Sequence, residues 1–448
     1  MNTGSHILIV GGGPAGHAAA SELRKLGFRG GVSVACGEPY APYDRPSCSK
    51  GVLSGHQLPT DISLDNDLPD VHFRLGRRAQ WMDPHRRLVG FSTGETCRYD
   101  GLIIATGTHA AVPERVPVGA PGLHVLHTID DAWSIRQDLR NARRVAIVGG
   151  GLTGCEVACT VRALAREAVL VHSGRQLMEK VVGGYVASLV TEAHDAAGTR
   201  LRLGRRLSTV DRDHGRWRLW LDDGSTEHAD VVIMAVGERP SVSWLADTGI
   251  DCSDGVLCDA SLRVVGAADV VAAGAVARWP DPHSNDGPRR AAHWIAALEQ
   301  GRAAARTLLH GGNAAPFTML PLFWSEQLGL RIQVCGEIDV RADVEITQMR
   351  PGRRNVARAG VLATYHRGGR AIGVAGINAP RAFTAAAQTL RQQRLQPPVR
   401  AIAPAVRRTA RPVPTVTGRA ALPAGPIDRR NDDPTSLIPR PRHLRAVS

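Results

Sequence analysis

The sequence lacks any run of about 18 consecutive apolar residues, although 43% of its 448 residues are hydrophobic. It therefore predicts a packed globular core and no membrane-spanning helix. The first apolar strand begins only a few residues after Met1, which leaves no room for a secretion signal, so we expect a cytoplasmic protein. The length predicts two or three domains rather than one.

Closely spaced cysteine pairs are also missing. No C-x2-C or C-x4-C pair occurs, so neither a thioredoxin-like redox pair nor a zinc ribbon is indicated, and no metal site is predicted. Reduced thiols scattered through the core are the expected state of the eight cysteines, which are Cys36, Cys48, Cys97, Cys155, Cys159, Cys252, Cys258 and Cys335.

Lysine and aromatic residues are scarce, whereas arginine is abundant. The chain has three lysines, 4% aromatic residues and a formal net charge of +13, of which residues 401–448 contribute +6 and the remainder +7. A basic chain attracts nucleic acid, anionic membranes or acidic proteins. Nucleic acid is the poorest of these candidates, because the sequence contains no zinc finger, recognition helix or aromatic-rich RNA motif.

What the sequence does contain is two glycine motifs, each after a short apolar strand. The first is Gly11, Gly13 and Gly16, with Pro14 and Ala15 between them; the second is Gly149, Gly151 and Gly154, about 140 residues later. Such glycines allow a tight strand-to-helix turn whose backbone approaches a pyrophosphate at a helix N-terminus. One motif is weak evidence. Two motifs predict two dinucleotide sites, most economically for a flavin and a nicotinamide.

Two charged residues near the first motif are candidates for cofactor contacts. Glu38 lies 22 residues past Gly16, at the end of the second strand, where an acidic side chain accepts hydrogen bonds from an adenosine ribose. We favour this role over that of a solvated carboxylate. Lys50 would stabilise negative charge on a reduced flavin ring, but a solvated loop lysine is an equally good interpretation.

Three further segments carry a family resemblance that extends from about residue 5 to 395. Residues 42–46 with Ser49 and Lys50, residues 105–107 and the Phe-Trp-Ser-Glu-Gln segment at 323–327 resemble the FAD-dependent ferredoxin reductases. That family serves bacterial cytochrome monooxygenases and ring-hydroxylating dioxygenases, and it includes putidaredoxin reductase and rubredoxin reductase.

The resemblance implies an α/β fold of the glutathione-reductase type, with two Rossmann-like dinucleotide-binding domains and a C-terminal α+β domain. The expected FAD-binding domain comprises residues 1–110 and 241–315, and the NAD(P)-binding domain residues 111–240. The C-terminal interface domain would span 316–400. Beyond it, residues 401–448 are rich in Pro and Arg, and we expect a disordered extension rather than a docking segment.

The resemblance also implies roles for individual residues. Lys50 would pair with Glu156 beside the isoalloxazine, and Trp324 would lie against the flavin or nicotinamide; these three are the candidate catalytic residues. Glu156 would suit a helix N-terminus without any catalysis, but the joint presence of both charges favours the pair. The other expected cofactor contacts are Arg45, Ala105, Thr106, Gly107, His127, Gly237, Gly274, Ala275 and Gln327.

Three positions depart from the family pattern. Ala275 stands where the family has an Asp that binds the ribityl chain, His127 where it has Arg, and Ala292 where it has Glu. A lost charged hydrogen bond costs about 1.5–3 kcal/mol, so we expect weakened FAD binding.

The nicotinamide site has an unusual residue at the end of its second strand. His172 lies 18 residues past Gly154, where members that prefer NADH have an acid. With Arg175 it favours NADPH modestly over NADH, because a cation attracts a 2′-phosphate.

The predicted reaction passes a hydride from NADPH or NADH to FAD, which then releases single electrons to an acidic ferredoxin that supplies an oxygenase. We expect a monomer or homodimer. Two alternatives remain open. One is an NAD(P)H-dependent disulfide or peroxide reductase that uses Cys48, provided that Lys50 depresses the pKa of its thiol. The other is a degenerate flavoprotein that acts as a binding module, for which Ala275, His127 and Ala292 are the evidence.

Overall fold

The computed structural model describes residues 4–64, 68–281, 287–349 and 360–395. The extension predicted at 401–448 lies outside the described residues. In the described part, no helix has the length and apolar character needed to cross a membrane.

Strands outnumber helices in the described chain. The strands, β1 to β26 in chain order, are His6–Val10, Gly31–Ala35, Val71–Arg74, Ala79–Asp83, Leu88–Phe91, Thr96–Arg98, Gly101–Ile104, Thr108–Ala110, Leu123–Val125, Arg144–Val148, Glu167–His172, Arg200–Leu203, Leu207–Asp213, Arg216–Leu221, Thr226–Ala229, Val231–Met234, Glu238–Pro240, Val256–Leu257, Val270–Ala272, Ala277–Pro280, Pro288–Arg289, Leu322–Gln327, Leu330–Gly336, Asp343–Met349, Gly360–Arg367 and Arg370–Ile377. The α-helices, α1 to α8, are Pro14–Lys25, Gly51–Ser54, Ile129–Leu139, Leu152–Ala163, Glu179–Val182, Gly184–Ala196, Trp294–His310 and Pro380–Leu395. Short 3-10 helices lie at Arg45–Ser49, Pro59–Ile62, Ser243–Leu245 and Gly311–Asn313.

The first glycine motif follows the central strand of a parallel sheet. The strand order is β19-β7-β1-β2-β3, and β1 pairs in parallel with both β2 and β7. Ile7, Leu8 and Ile9 of β1 are fully buried, as expected for a strand covered on both faces. This sheet recruits β19 from a segment far along the chain, so it draws on both parts of the predicted FAD domain.

The second glycine motif follows the central strand of another parallel sheet. Its order is β12-β11-β10-β16-β9, with β10 between β11 and β16. The chain passes from the first sheet to the second and back through β8 and β17, which pair antiparallel, with Glu238 opposite Ala110. Two parallel sheets of this kind confirm the predicted fold class.

The C-terminal sheet is antiparallel, with the order β22-β23-β26-β25-β24 and with α8 packed against it. Along β22 the side chains alternate, because successive residues of a strand point to opposite faces. Phe323, Ser325 and Gln327 are buried, whereas Trp324 and Glu326 are exposed. One face of β22 therefore packs inside the molecule and the other meets solvent.

One helix starts later than its sequence predicts. The sequence predicts a helix from Arg290 to Leu309, whereas α7 spans Trp294–His310. The backbone before it is extended, because Pro288 and Arg289 form β21 and pair with β20. The side chains there are also engaged: Arg289 pairs with Asp281 at 2.6 Å, and Arg290 with Asp254 at 2.9 Å.

Candidate functional site

The first glycine motif forms a turn in which each glycine meets a different requirement. Gly11 has φ +121°, and a Cβ on it would lie 2.1 Å from the Ala105 carbonyl oxygen. A Cβ on Gly16 would lie 1.9 Å from the Gly11 carbonyl oxygen, so this position needs glycine for close packing of helix on strand. A Cβ on Gly13, the N-cap of α1, would meet no atom within 4 Å. The space beside Gly13 is therefore free for a ligand.

The second glycine motif repeats this arrangement. A Cβ on Gly149 would lie 2.1 Å from the Ala235 carbonyl oxygen, and one on Gly154 would lie 1.8 Å from the Gly149 carbonyl oxygen. Gly151 caps α4 and again has open space beside it. Both motifs thus have the shape that lets a phosphate approach a helix N-terminus.

A cavity of about 570 Å³ lies between the first glycine turn, the 45–50 segment, the start of α4 and β22. This volume is within the range of small-molecule sites, roughly 300–1,000 Å³. Its wall includes most of the predicted site residues, namely Gly11, Gly13, Pro14, Ala15, Glu38, Arg45, Lys50, Ala105, Thr106, Gly107, His127, Glu156, Gly274, Ala275 and Trp324. The remaining predicted residues lie outside this wall; they are Gly16, Gly149, Gly151, Gly154, His172, Arg175, Gly237 and Gln327.

Glu38 is held by two donors at one end of this cavity. Arg45 donates to Glu38 Oε1 and Tyr43 donates to Glu38 Oε2, each at 2.7 Å. Burial raises the pKa of the Glu38 carboxyl, but Arg45 and Tyr43 outweigh it and leave that pKa below its ordinary value. Each carboxylate oxygen can accept a second hydrogen bond, so the position predicted for ribose recognition keeps acceptor capacity.

Lys50 and Glu156 meet in the cavity wall. Lys50 Nζ lies 2.7 Å from Glu156 Oε2, with the lysine side chain 38% exposed and the glutamate 6%. Ser49 donates to the same Oε2 and Ser325 to Oε1, each at 2.6 Å. Three donors from two segments, the neighbouring Ser49 and Lys50 and the distant Ser325, therefore satisfy one buried carboxylate.

Trp324 and Gln327 lie on opposite faces of β22. Trp324 lines the cavity and is 53% exposed, so it stands at the cavity mouth. Gln327 is 1% exposed and donates from Nε2 to Ser325 Oγ at 3.1 Å. Because its side chain points to the buried face, Gln327 is linked to Glu156 through Ser325, and its predicted contact with a cofactor stays a prediction.

His172 has a tautomer fixed by the backbone. The Gly150 N–H donates to His172 Nδ1 at 3.1 Å, so this nitrogen carries no proton. Burial also lowers the pKa of His172. Both observations favour the neutral ring, and the exposed Arg175 is then the remaining candidate cation for a 2′-phosphate.

The site includes residues that the sequence reasoning missed. Glu238 lines the cavity; its Oε2 accepts from Thr108 Oγ1 at 2.8 Å, and its Oε1 is buried without a hydrogen-bond partner among the described residues. His293 lines the same cavity and stacks on Phe323, with ring centroids 4.8 Å apart. Glu238 had a signal in the sequence, since it is the first residue after the strand-then-glycine element of residues 231–237.

The turn at Gly274 is preserved although Ala275 carries no acid. Gly274 has φ +82°, and its N–H donates at 2.7 Å to the fully buried Gln300. Arg290 donates to the Ala275 carbonyl oxygen at 3.0 Å. The backbone at 274–275 is therefore held in place. Compared with the family pattern, the site lacks only the carboxylate at position 275 that would accept a hydrogen bond.

Cys48 lacks the chemistry of a redox thiol. It is 3% exposed, and burial raises the pKa of its thiol to about 12 despite the opposing charge of Arg45. Lys50, expected to depress that pKa, is paired with Glu156 instead. The alternative of a disulfide or peroxide reductase thus loses its physical basis, because the thiolate is the reactive form.

Acidification is expected to destabilise the fold through one buried histidine, His194, and three half-buried ones. Burial lowers the pKa of His127, His172, His194 and His293. The unfolded chain therefore binds protons first, and the free energy of unfolding decreases as the pH falls below about 6.5, by up to about 1.4 kcal/mol per histidine for each pH unit. Urea unfolding at pH 7.0 and 5.5 measures this, with His194→Gln reducing the decrease and the exposed His85→Gln leaving it unchanged. An equal decrease in both variants would contradict the assignment.

Comparison with known proteins agrees with this architecture. The family model described as pyridine nucleotide-disulphide oxidoreductase matches residues 5–301, and that described as reductase C-terminal matches residues 322–408.

Individual relatives match along most of the chain. The ferredoxin reductase component of chlorobenzene dioxygenase from Cupriavidus sp. (strain PS12) is 30% identical, over 88% of this chain and 95% of the relative. The ferredoxin--NAD(+) reductase component of the biphenyl dioxygenase system from Paraburkholderia xenovorans (strain LB400) is 32% identical, over 76% and 85%. Among solved structures, the covalent putidaredoxin reductase–putidaredoxin complex matches with a TM-score of 0.79 and 24% identity, over 87% of this chain and 94% of that chain, and so shares the fold.

Proposed function

Because the chain belongs to the pyridine nucleotide-disulphide oxidoreductase family, we propose that it is the ferredoxin reductase of an oxygenase system. It would transfer electrons from a nicotinamide through FAD to a ferredoxin-type iron–sulfur protein. The observation that supports this most directly is the Lys50–Glu156 pair, 2.7 Å apart, in the wall of the cavity that begins at the first glycine turn.

The residues present fit FAD in most respects. The open space at Gly13 suits the pyrophosphate, and Glu38 suits the adenosine ribose. The cavity extends from these residues to Lys50 and Trp324, where the ring system would lie. When bound, FAD supplies the chemistry by accepting a hydride and releasing electrons singly.

Side chains of the protein would place a positive charge beside the flavin ring system. Lys50 places an ammonium at the cavity wall, and Glu156 fixes its position. A positive charge here stabilises negative charge that develops on the reduced ring system. Trp324, at the cavity mouth, would cover the ring face and limit access of water.

We propose NADH as the nicotinamide. The start of α4, with Leu152 and Thr153, lines the cavity from the side of the second glycine motif, so the two crevices meet. His172 is neutral and offers no charge for a 2′-phosphate. The relatives named as ferredoxin--NAD(+) reductases agree with this choice.

The partner would be an acidic iron–sulfur protein, because the chain carries +7 outside residues 401–448. The relatives named as dioxygenase components support an oxygenase as the final acceptor. We propose a cytoplasmic location and retain the domain boundaries predicted from the sequence.

Anaerobic titration of the purified holoprotein tests the proposal. NADH should bleach the flavin absorption with one equivalent per FAD, and NADPH should require a large excess. Adding an oxidised ferredoxin should then restore the colour. A protein that stays colourless after incubation with FAD, or stays yellow under excess NADH, would refute it.

Replacing Ala275 with Asp should tighten FAD binding by about tenfold. The Gly274 turn is already ordered, so a carboxylate at 275 would enter the cavity wall as a new acceptor for sugar hydroxyls. Fluorescence titration of the apoprotein with FAD measures the effect. Ala275→Asn is the matched control and should gain less, and equal affinities for Ala275→Asp and the wild type would contradict the expectation.

A further inference from the structure

A buried chain of hydrogen bonds connects α6 with the Glu156 carboxylate. Ser325 donates to Glu156 Oε1 at 2.6 Å, Gln327 Nε2 lies 3.1 Å from Ser325 Oγ, and Gln327 Oε1 lies 3.3 Å from His194 Nε2. All four side chains are buried, and His194 is 0% exposed. They come from α4, β22 and α6, which belong to two of the predicted domains.

The direction of donation along this chain follows from its chemistry. A carboxylate only accepts, so the Ser325 hydroxyl donates to Glu156 and its oxygen is left to accept from Gln327 Nε2. The amide oxygen of Gln327 must then face His194, whose Nε2 has to carry the proton. Burial lowers the pKa of His194, in agreement with a neutral ring that is protonated at Nε2 only.

The other ring nitrogen of His194 accepts no hydrogen bond from the described residues. Its Nδ1 is buried and has no hydrogen-bond partner among the residues described. An unsatisfied buried acceptor is unfavourable for folding. Nε2, in contrast, lies 3.3 Å from Gln327 Oε1 and 3.8 Å from Cys159 Sγ. The amide oxygen is the stronger acceptor of the two, so we assign the Nε2–H bond to Gln327.

At its other end, this chain of hydrogen bonds holds the carboxylate that pairs with Lys50. Glu156 Oε1 is held by Ser325, while Oε2 receives both Ser49 and Lys50 Nζ. If Ser325 were free to rotate, the carboxylate would lose one of its three donors and its fixed orientation. The Lys50 ammonium, 38% exposed, would then lose its fixed partner.

We propose that His194 is a positioning residue: through Gln327 and Ser325 it orients the Glu156 carboxylate and thereby places the Lys50 ammonium in the cavity wall. The catalytic consequence rests on the proposed function, whereas the hydrogen-bond chain does not. Polarised chains of this kind strengthen each member bond, so removing the first donor weakens the last one.

The test compares His194→Leu, which removes the donor, with His194→Gln, which keeps an N–H at that place. In the holoprotein, His194→Leu should shift the visible absorption of bound FAD and slow its reduction by NADH about tenfold. His194→Gln should restore both to near wild-type values. The matched control, His85→Leu, removes an exposed histidine and should change neither.

Should His194→Leu fail to fold, Gln327→Met carries the same test, because methionine has a similar volume and cannot make the hydrogen bonds to Ser325 and His194. A folded His194→Leu or Gln327→Met protein with wild-type absorption and rate would overturn the proposal. So would rates for His194→Gln that are as low as those for His194→Leu.

A second measurement is independent of the reaction. Nitrogen-15 spectra of histidine-labelled protein, assigned by difference from His194→Gln, should show the Nε2–H tautomer of His194. The Nδ1–H tautomer would overturn the chain. If NADH fails to reduce even the wild-type flavin, the proposed function is refuted. The tautomer of His194 still tests whether the hydrogen-bond chain exists.

Discussion

Replacing Glu156 with Gln should lower the rate of flavin reduction by NADH about a hundredfold, which corresponds to the upper value of about 3 kcal/mol for a charged hydrogen bond. The amide keeps the size of the side chain but removes the negative charge opposite Lys50 Nζ, 2.7 Å away. It also places a donor next to Ser49 or Ser325, both of which donate at present. Stopped-flow absorbance under anaerobic conditions measures the rate.

The matched control for this variant is Glu299→Gln. Glu299 forms an ion pair with Arg302 on the surface of α7, with both side chains nearly half exposed. Exposed pairs contribute little, so its rate should equal that of the wild type. Lys50 and Glu156 act as one unit. The double variant Lys50→Gln/Glu156→Gln should therefore reduce the rate of flavin reduction no further than the slower of the two single variants. A folded Glu156→Gln protein that is reduced at the wild-type rate would refute the role of the pair.

The sequence predicted those parts of the site that depend on local backbone geometry. The glycine motifs specify their own turns, because Gly11, Gly16 and their counterparts near 150 leave no room for a Cβ. The Lys50–Glu156 contact was also anticipated, but only from the family resemblance. Nothing in the spacing of these two residues, 106 apart, indicates that they meet.

What the sequence did not predict depends on packing between distant segments. Glu238 and His293 reach the cavity from β17 and the start of α7, and the link from Gln327 to His194 crosses 133 positions. The surroundings of His172 depend on packing for the same reason. A histidine at the end of a strand suggests a surface cation, whereas the Gly150 N–H and burial make it neutral.

Substitution of Gly16 with Ala is expected to lower the free energy of unfolding by about 3 kcal/mol, whereas the same change at Gly13 should leave stability unaltered and weaken FAD binding. The difference is steric. A methyl group on Gly16 would lie 1.9 Å from the Gly11 carbonyl oxygen and 3.2 Å from Ile9 Cγ2, so α1 would have to move away from β1. Such overpacking costs about 1–3 kcal/mol, or more where backbone must shift.

At Gly13 the added methyl meets no protein atom within 4 Å but occupies the space where the pyrophosphate approaches the start of α1. We expect FAD affinity to fall by about tenfold or more, since close approach of the backbone N–H groups is what binds the anion. Urea unfolding of the apoproteins and FAD titration separate the two effects. Gly312→Ala, in the 3-10 helix after α7, is the control, because it also has open space but lies outside the cavity wall. Wild-type FAD affinity in Gly13→Ala would show that the cofactor lies elsewhere, and that result would remove the basis for assigning the first glycine turn to FAD.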